Sequence, residues 1–309
     1  MSLSNEFITR ETRRFQRSAQ QRELSWLRQP GKSRGGISLE RKVYVRRIEK
    51  DRFQSGFESN PGAIHSRIIE LHAVADMTST DGIPRTPASE VLEIIRNSDA
   101  FCFDVDSTFC MDESIDELAE YLGVGEKVKE LTSQAMGGSV LFQDALAARL
   151  NVMNPSRQSV EKFLQDHPHV LSEGIPQLLN RLKGDGKHVF LVSGGFRQII
   201  HPLAESLGIP LSNVFANNLL FHEDGSYAGF DPAEFTSRSG GKKEAVMHIK
   251  EAWDLQTVIM VGDGATDAEA KAPMGADVFI GYGGTVFREN VAIQSDWYVM
   301  EIAEILEQL

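Results

Sequence analysis

Cysteine and long apolar runs are the two features that this sequence most clearly lacks. Only Cys102 and Cys110 occur in 309 residues, which excludes a disulfide scaffold and a structural zinc site and makes a reducing compartment the default. No run approaches the roughly 20 apolar residues that a membrane helix needs, so we expect no membrane partner. The length suffices for one large α/β domain or two smaller ones.

Basic residues are fewer than acidic ones, and they are distributed unevenly along the chain. The formal net charge is −12, yet residues 1–76 carry 15 Lys/Arg against 9 Asp/Glu, and residues 77–309 carry 17 against 35. The acidic body repels polynucleotides through its overall field, so nucleic-acid binding is not expected of it and could come only from the N-terminal arm.

The N-terminal part differs from the rest in composition. Residues 1–85 are rich in Arg, contain loop-prone Gly and Pro, and show no regular apolar period. Such a segment is typical of a disordered extension or of an organellar transit peptide, although the nine acidic residues of 1–76 are many for a transit peptide. A natural start at Met77 is a third reading. The expected location depends on which reading holds. The protein would be cytoplasmic, or it would lie in a plastid or mitochondrion if the N-terminal segment is a transit peptide.

From residue 86 onward, short apolar runs alternate with helical patterns. The runs predict buried strands, and Asp224-Gly225 predicts a hairpin turn; the strands are expected at 100–103, 188–192, 214–216, 219–221, 227–230, 258–261, 278–280 and 297–299. Strands alternating with helices predict an α/β fold, a doubly wound parallel sheet. A helix is expected from about Ser89, with Ser89 as a candidate cap.

The segment between the first two strands is too long for a simple crossover. Residues 113–185 carry apolar residues at helical spacing and predict an inserted helical cap. The predicted folded body is therefore residues 86–309, with a core formed by residues 86–112 and 186–309.

Polar residues follow three of the predicted strands where parallel strands end, which is where open α/β sheets bind ligands. They are Asp104 and Asp106 after the first strand, Ser193-Gly194-Gly195 after the second, and Asp263 with Asp267 after a later one. Carboxylate oxygens gathered at one sheet edge suit Mg²⁺. Each motif alone has an ordinary alternative: an acidic turn, a weak Ser-Gly-Gly turn, or a helix cap from Thr266 or Asp267.

Lys242 follows Ser239-Gly240-Gly241 at the start of a predicted helix. A lysine there could neutralise a phosphoryl group and an attacking aspartate. The spacing is not that of a Walker loop, and in isolation a solvated lysine near a helix start is the more common reading.

In order and spacing, these four segments resemble the motifs of the haloacid dehalogenase superfamily. They read Asp104-Val105-Asp106-Ser107-Thr108, Ser193, Lys242 and Gly262-Asp263-Gly264-Ala265-Thr266-Asp267. The second aspartate favours phosphatases over dehalogenases. Over about residues 90–305, further stretches are similar to the phosphoserine phosphatases of the eukaryotic type, among them Asp116-Glu117-Leu118-Ala119, Ala135-Met136-Gly137-Gly138, Ser193-Gly194-Gly195-Phe196-Arg197 and Phe215-Ala216-Asn217.

The resemblance implies a mechanism and assigns roles. Asp104 would be the nucleophile that forms an aspartyl-phosphate, and Asp106 would protonate the leaving oxygen and later activate water. Mg²⁺ would be held by Asp104, the backbone carbonyl of Asp106, Asp263 and Asp267. The remaining phosphoryl contacts would come from Lys242, Ser193, Gly194, Gly195, Gly137 and Thr266.

The resemblance also places three residues around the substrate. Phosphoserine carries an ammonium and a carboxylate, which Glu113 and Arg149 would recognise, while Met136 would add an apolar contact. Two alternatives stay open: a phosphatase for another small phosphomonoester, and a catalytically silent binding or regulatory protein on the same fold. Family members often dimerise, and no motif here sets the oligomeric state.

Overall fold

The computed structural model describes residues 82–136 and 141–309. The expectations for residues 1–81 and for Gly137 lie outside these residues. Among the described residues, no helix has both the length and the apolar character needed to cross a membrane.

Six parallel strands form the main sheet, in the order β3-β2-β1-β6-β7-β8. Their bounds are β1 Ala100–Phe103, β2 His188–Phe196, β3 Val214–Asn217, β6 Val258–Gly262, β7 Val278–Tyr282 and β8 Trp297–Val299. The chain builds outward from β1 in one direction and then returns to build in the other, which is the doubly wound arrangement predicted from the sequence. The predicted α/β class and the predicted strands are confirmed, and β2 continues four residues further than expected.

A separate antiparallel pair, β4 Leu219–Phe221 and β5 Tyr227–Phe230, forms the predicted hairpin. Gly225 at its turn has a φ of +83°, a left-handed conformation that glycine adopts without steric cost.

Helices connect the strands, and their bounds run in chain order as follows: α1 Ser89–Asn97, α2 Ser114–Tyr121, α3 Gly125–Met136, α4 Phe142–Met153, α5 Arg157–Asp166, α6 Ile175–Gly184, α7 Arg197–Ser206, α8 Gly241–Trp253, α9 Ala265–Ala270, α10 Glu289–Gln294 and α11 Ile302–Gln308. The expectation that Ser89 caps α1 is wrong. Ser89 is the first helical residue, and Ala88 takes the extended cap conformation without a side-chain bond.

The centre of the sheet is apolar on both faces, as expected of parallel strands covered by helices. All four residues of β1 are fully buried, and one face contributes Phe101 and Phe103 to a cluster that also contains Ile259. The opposite face places Cys102 in a second cluster with Met260. Cys102 and Cys110 are both buried and free.

Between β1 and β2, the described residues form five α-helices, which pack in two places. Residues from α2 to α5, including Leu118, Leu146 and Phe163, form a third apolar cluster. In contrast, α6 places Ile175 and Leu178 in the cluster beside β1. The division into core and cap stays a prediction: α6 packs beside β1, and the cluster of α2 to α5 also includes Phe196 of β2.

The central position of β6 generates a stability prediction. Replacing Ile259, which is fully buried, with alanine should lower the free energy of unfolding by about 2–5 kcal/mol because it leaves a cavity between strand and helices. The same substitution at Ile293, which is 53% exposed, should cost no more than about 0.5 kcal/mol. Urea denaturation of both variants measures this difference, and equal losses would contradict the assignment of the core.

Candidate active site

The strand register brings the three motifs to one edge of the sheet. Phe103 at the end of β1 pairs with Leu191 of β2 on one side and with Val261 of β6 on the other. The backbone N–H of Asp104 donates to the carbonyl of Val261 at 2.9 Å. Asp104 and Asp263 therefore leave adjacent strands at nearly the same level, next to the part of β2 that contains Ser193.

A tight turn follows β1 and fixes the first motif. Residues Val105–Phe109 form one turn of π-type helix, in which Ser107 has a φ of +55°. The amide of Val105 donates to Asp104 Oδ1 at 2.7 Å. The turn also directs the Thr108 hydroxyl to Asp263 Oδ1 at 3.2 Å, so that the first and last motifs are hydrogen-bonded to each other.

Lys242 lies between two buried carboxylates. Its Nζ is 2.9 Å from Asp104 Oδ1 and donates to Asp267 Oδ1 at 2.6 Å. Burial acts to lower the pKa of Lys242, but the charges of Asp104 and Asp267 outweigh burial and raise it above its ordinary value. Lys242 is therefore protonated at neutral pH. The Lys242 ammonium and the Val105 amide both contact Oδ1 of Asp104, and neither contacts Oδ2.

Asp267 also caps the N-terminus of its own helix, α9. Its Oδ2 accepts the N–H of Gly264 at 3.0 Å while its Oδ1 is bound to Lys242. A Cβ at Gly262 would lie 2.2 Å from Asp267 Cγ, so only glycine at position 262 lets this side chain take its place. The helix-cap interpretation of Asp267 and its place in the site are therefore both compatible with the geometry.

Asp106 contributes a further carboxyl group to the same site. Burial, followed by the nearby charges of Glu113 and Asp104, raises the pKa of Asp106 to about 7, against the opposing effect of hydrogen bonds from Ser114. A large fraction of this carboxyl group is then protonated at neutral pH. Asp106 can donate a proton under conditions in which an ordinary aspartate could only accept one.

Ser193 and the two glycines after it lie in the last part of β2, where the pairing with β3 is interrupted between Val192 and Phe196. The Ser193 hydroxyl accepts the N–H of Gly195 at 2.9 Å, and Asn217 donates to the carbonyl of Gly194 at 2.7 Å. A Cβ at Gly195 would lie 3.1 Å from Asp106 Oδ2 and 3.2 Å from Ser193 Oγ. Glycine therefore keeps the space between the two groups open.

These residues surround a cavity of about 210 Å³. Of the residues predicted for the site, the lining contains Asp104, Asp106, Glu113, Arg149, Gly194, Lys242, Asp263 and Thr266. Ser193, Gly195 and Asp267 are buried beside the lining residues that they contact. Met136 ends α3, and its expected apolar contact stays a prediction.

Glu113 and Arg149 place opposite charges in the cavity wall. Burial raises the pKa of Glu113 and lowers that of Arg149. The charges of Asp116 and Glu113 partly offset the effect on Arg149. A ligand group of opposite charge in the cavity would therefore stabilise the charged form of each side chain.

The sequence motifs did not single out Arg288, which lies in the loop between β7 and α10. Its guanidinium donates to the carbonyl of Asp263 at 3.2 Å and forms an ion pair with the carboxylate of the same residue. It also lies 3.9 Å from Glu113. A lone arginine after a Gly-Gly-Thr-Val-Phe run carries no motif signal, so only the folded arrangement identifies it.

The donor set fits a divalent cation. Carboxylate oxygens of Asp104, Asp263 and Asp267 lie within 4.8 Å of one another, and all three residues are buried. Hard oxygen donors grouped in this way suit a divalent metal such as Mg²⁺ or Mn²⁺.

A doubly wound sheet with these carboxylates and a buried lysine at its switch point defines a class of protein, the hydrolases of the haloacid dehalogenase type. The model of the haloacid dehalogenase-like hydrolases matches residues 98–275. Two curated relatives and one solved structure specify the group within that class.

A chloroplastic phosphoserine phosphatase from Arabidopsis thaliana is 51% identical over 223 residues, which cover 72% of this chain and 76% of the relative. The phosphoserine phosphatase of Bos taurus is 48% identical over 221 residues, covering 72% of this chain and 97% of the relative. A structure described as a phospho-aspartyl intermediate analogue of phosphoserine phosphatase is 28% identical, with a TM-score of 0.59, and covers 69% of this chain and 99% of that one. The chain belongs to the phosphoserine phosphatase family of the haloacid dehalogenase-like hydrolases.

The position of Lys242 between two carboxylates predicts a large stability effect. Lys242→Met leaves Asp104 and Asp267 buried without their shared cation, and should lower the free energy of unfolding of the metal-free protein by about 3–5 kcal/mol. Chemical denaturation in the presence of a chelator measures it.

The matched control is Lys271→Met, which removes a partly exposed ion pair with Asp296. That change should cost no more than about 1 kcal/mol. If the two variants lose equal stability, Lys242 does not compensate the buried carboxylates.

Proposed function

We propose that this chain is a Mg²⁺-dependent phosphatase that hydrolyses O-phospho-L-serine to L-serine and phosphate, the last step of L-serine biosynthesis. One observation carries the proposal: a single cavity is lined both by the carboxylates and lysine of phosphoryl transfer and by the opposite charges of Glu113 and Arg149. The family membership of the chain supports the same activity.

The first chemical step is transfer of the phosphoryl group to Asp104. A carboxylate oxygen of Asp104 attacks phosphorus, the bond from phosphorus to the serine oxygen breaks, and Asp106 gives its proton to that oxygen. The raised pKa of Asp106 supports this donor role. Lys242 stays charged beside Asp104 and offsets the negative charge of the entering phosphoryl group.

The second step returns the enzyme to its starting state. Asp106, now ionised, takes a proton from water; the water oxygen attacks phosphorus, and the bond to Asp104 breaks to release phosphate. Asp104, Asp263, Asp267 and the backbone carbonyl of Asp106 would hold Mg²⁺. When bound, the ion supplies a Lewis acid that polarises a phosphoryl oxygen. Ser193, Gly194, Gly195, Gly137 and Thr266 would hold the other phosphoryl oxygens.

Substrate choice depends on the cavity wall. The carboxylate of Glu113 would pair with the substrate ammonium and the guanidinium of Arg149 with the substrate carboxylate, and Met136 would add an apolar contact. Burial of both charged groups supports these assignments, because a desolvated charge gains more from a partner than a solvated one.

The compartment and the assembly are part of the proposal. An Arg-rich N-terminal segment and a relative that is named chloroplastic support an organellar leader for residues 1–85. A homodimer is the proposed assembly, on the family resemblance alone.

A hydrolysis panel tests the activity. Purified protein should release phosphate from O-phospho-L-serine faster than from other small phosphate esters, lose activity with a chelator and regain it with Mg²⁺. Asp104→Asn should lower kcat by about 10³-fold or more, because an amide cannot form the phosphorylated intermediate. Full activity in Asp104→Asn, or a clear preference for an ester without an amino-acid group, would contradict the proposal.

Two substrate analogues separate the roles of Glu113 and Arg149. Phosphoethanolamine lacks the carboxylate of phosphoserine, and 3-phosphonooxypropanoate lacks the ammonium. Arg149→Met should lower kcat/KM for phosphoserine about 10- to 100-fold and leave that for phosphoethanolamine within about threefold.

Glu113→Gln should behave in the complementary way, with a loss for phosphoserine and little change for 3-phosphonooxypropanoate. If each variant loses activity on all three esters equally, the two residues do not recognise the charged ends of the substrate.

A further inference from the structure

Two serine hydroxyls connect the turn after β1 with the beginning of α2 in a crossed arrangement. Ser107 in the turn donates to Glu113 Oε1 at 2.6 Å. In the opposite direction, Ser114 at the start of α2 donates to Asp106 Oδ1 through its hydroxyl and also through its backbone N–H, the latter at 3.0 Å. Neither the motifs nor the family resemblance assigned a role to Ser114.

Ser114 is held firmly in place. It is 3% exposed, it is the first residue of α2, and Leu118 and Ala119 on the next turn are fully buried in the apolar cluster of α2 to α5. The position of its two donors therefore follows from the packing of the helices inserted between β1 and β2. Asp106 receives its hydrogen bonds from that segment, whereas Asp104 is bound by the turn and by Lys242.

The two bonds from Ser114 distinguish the two oxygens of Asp106. Oδ1 accepts both a backbone N–H and a hydroxyl, so it is the poorer place for a proton. Oδ2 lies on the side of Gly195, where the absence of a side chain leaves room next to Ser193. A proton on Oδ2 thus faces the end of β2 that is proposed to hold the phosphoryl group.

We propose that Ser114 is a positioning residue for proton transfer: it fixes Asp106 Oδ1 as an acceptor so that Oδ2 delivers the proton to the leaving oxygen of the substrate. The inference rests on the proposed role of Asp106 as general acid. It is separate from the identity of the substrate, since any ester with a poor alkoxide leaving group needs the same proton.

A purely structural role would have the same geometry, because an aspartate that accepts the first N–H of a helix also stabilises that helix. The two roles differ in how they depend on the leaving group. Serine leaves as an alkoxide that needs protonation, whereas acetyl phosphate releases acetate, which is stable as an anion. Loss of proton delivery therefore slows phosphoryl transfer from phosphoserine only, and a structural defect slows both.

The test measures kcat/KM of Ser114→Ala with phosphoserine and with acetyl phosphate, because this constant reports on steps up to transfer of the phosphoryl group. The value for phosphoserine should fall by about 10-fold or more, and the value for acetyl phosphate by less than about threefold. Equal losses on the two substrates, or no loss on either, would overturn the inference.

Two further variants keep the result interpretable. Ser114→Thr retains the hydroxyl and should restore the ratio between the two substrates to that of the wild type. Ser133→Ala removes an exposed hydroxyl that donates to the carbonyl of Lys129 in α3, and should leave the ratio unchanged. A wild-type ratio in Ser114→Ala together with an altered ratio in Ser133→Ala would also count against the role of Ser114.

The experiment separates this inference from the proposed function. If the wild type does not hydrolyse phosphoserine, the proposed substrate fails. The best alkyl phosphate found in the ester panel then replaces phosphoserine in the comparison with acetyl phosphate. A selective loss in Ser114→Ala with that ester would still support the positioning role.

Discussion

The arrangement of the whole site depends on the burial of several carboxylates at one edge of a sheet. Asp104, Asp263 and Asp267 come from adjacent parallel strands and the helix that follows one of them, and their oxygens lie within 4.8 Å of one another. Like charges at this distance in a poorly solvated place repel strongly. Lys242 reduces that repulsion by binding two of them. The grouped oxygens of the three carboxylates suit a metal ion, and together with Lys242 they provide the local electrostatics on which phosphoryl transfer relies.

The balance of charges in the cavity differs from that of the whole molecule. The net charge is −12, and the body from residue 77 onward is more acidic still, so the overall field opposes the approach of an anionic ester. Within the cavity, Lys242, Arg149 and Arg288 place cationic groups close to where an anionic ester would bind. Part of the acidity of the chain is therefore accounted for by the site, where it would bind a cation.

Much of the fold and site could be predicted because the signals are local. The strands of the sheet are continuous apolar runs that hardly tolerate another interpretation, and the aspartates stand directly after two of them, so topology alone brings Asp104 and Asp263 together. Lys242, which has only a weak signal of its own, gained a role through the order and spacing of the four segments. The prediction of Ser89 as a cap is wrong by one position: the helix begins at Ser89 itself, and a serine in the sequence does not show whether it precedes the helix or begins it.

Other features could not be predicted, since they depend on contacts between distant segments. Arg288 reaches the site from a loop after β7 and resembles any exposed arginine in sequence. Ser114 is one of many serines near a helix start, and only the turn with a positive φ at Ser107 brings Asp106 within its reach. The central claim, that Asp104 receives the phosphoryl group, is tested most directly by rapid acid quenching of enzyme mixed with ³²P-labelled phosphoserine, followed by peptide mapping. The account predicts an acyl phosphate on Asp104 that forms and decays within the turnover time; label on another residue would contradict it.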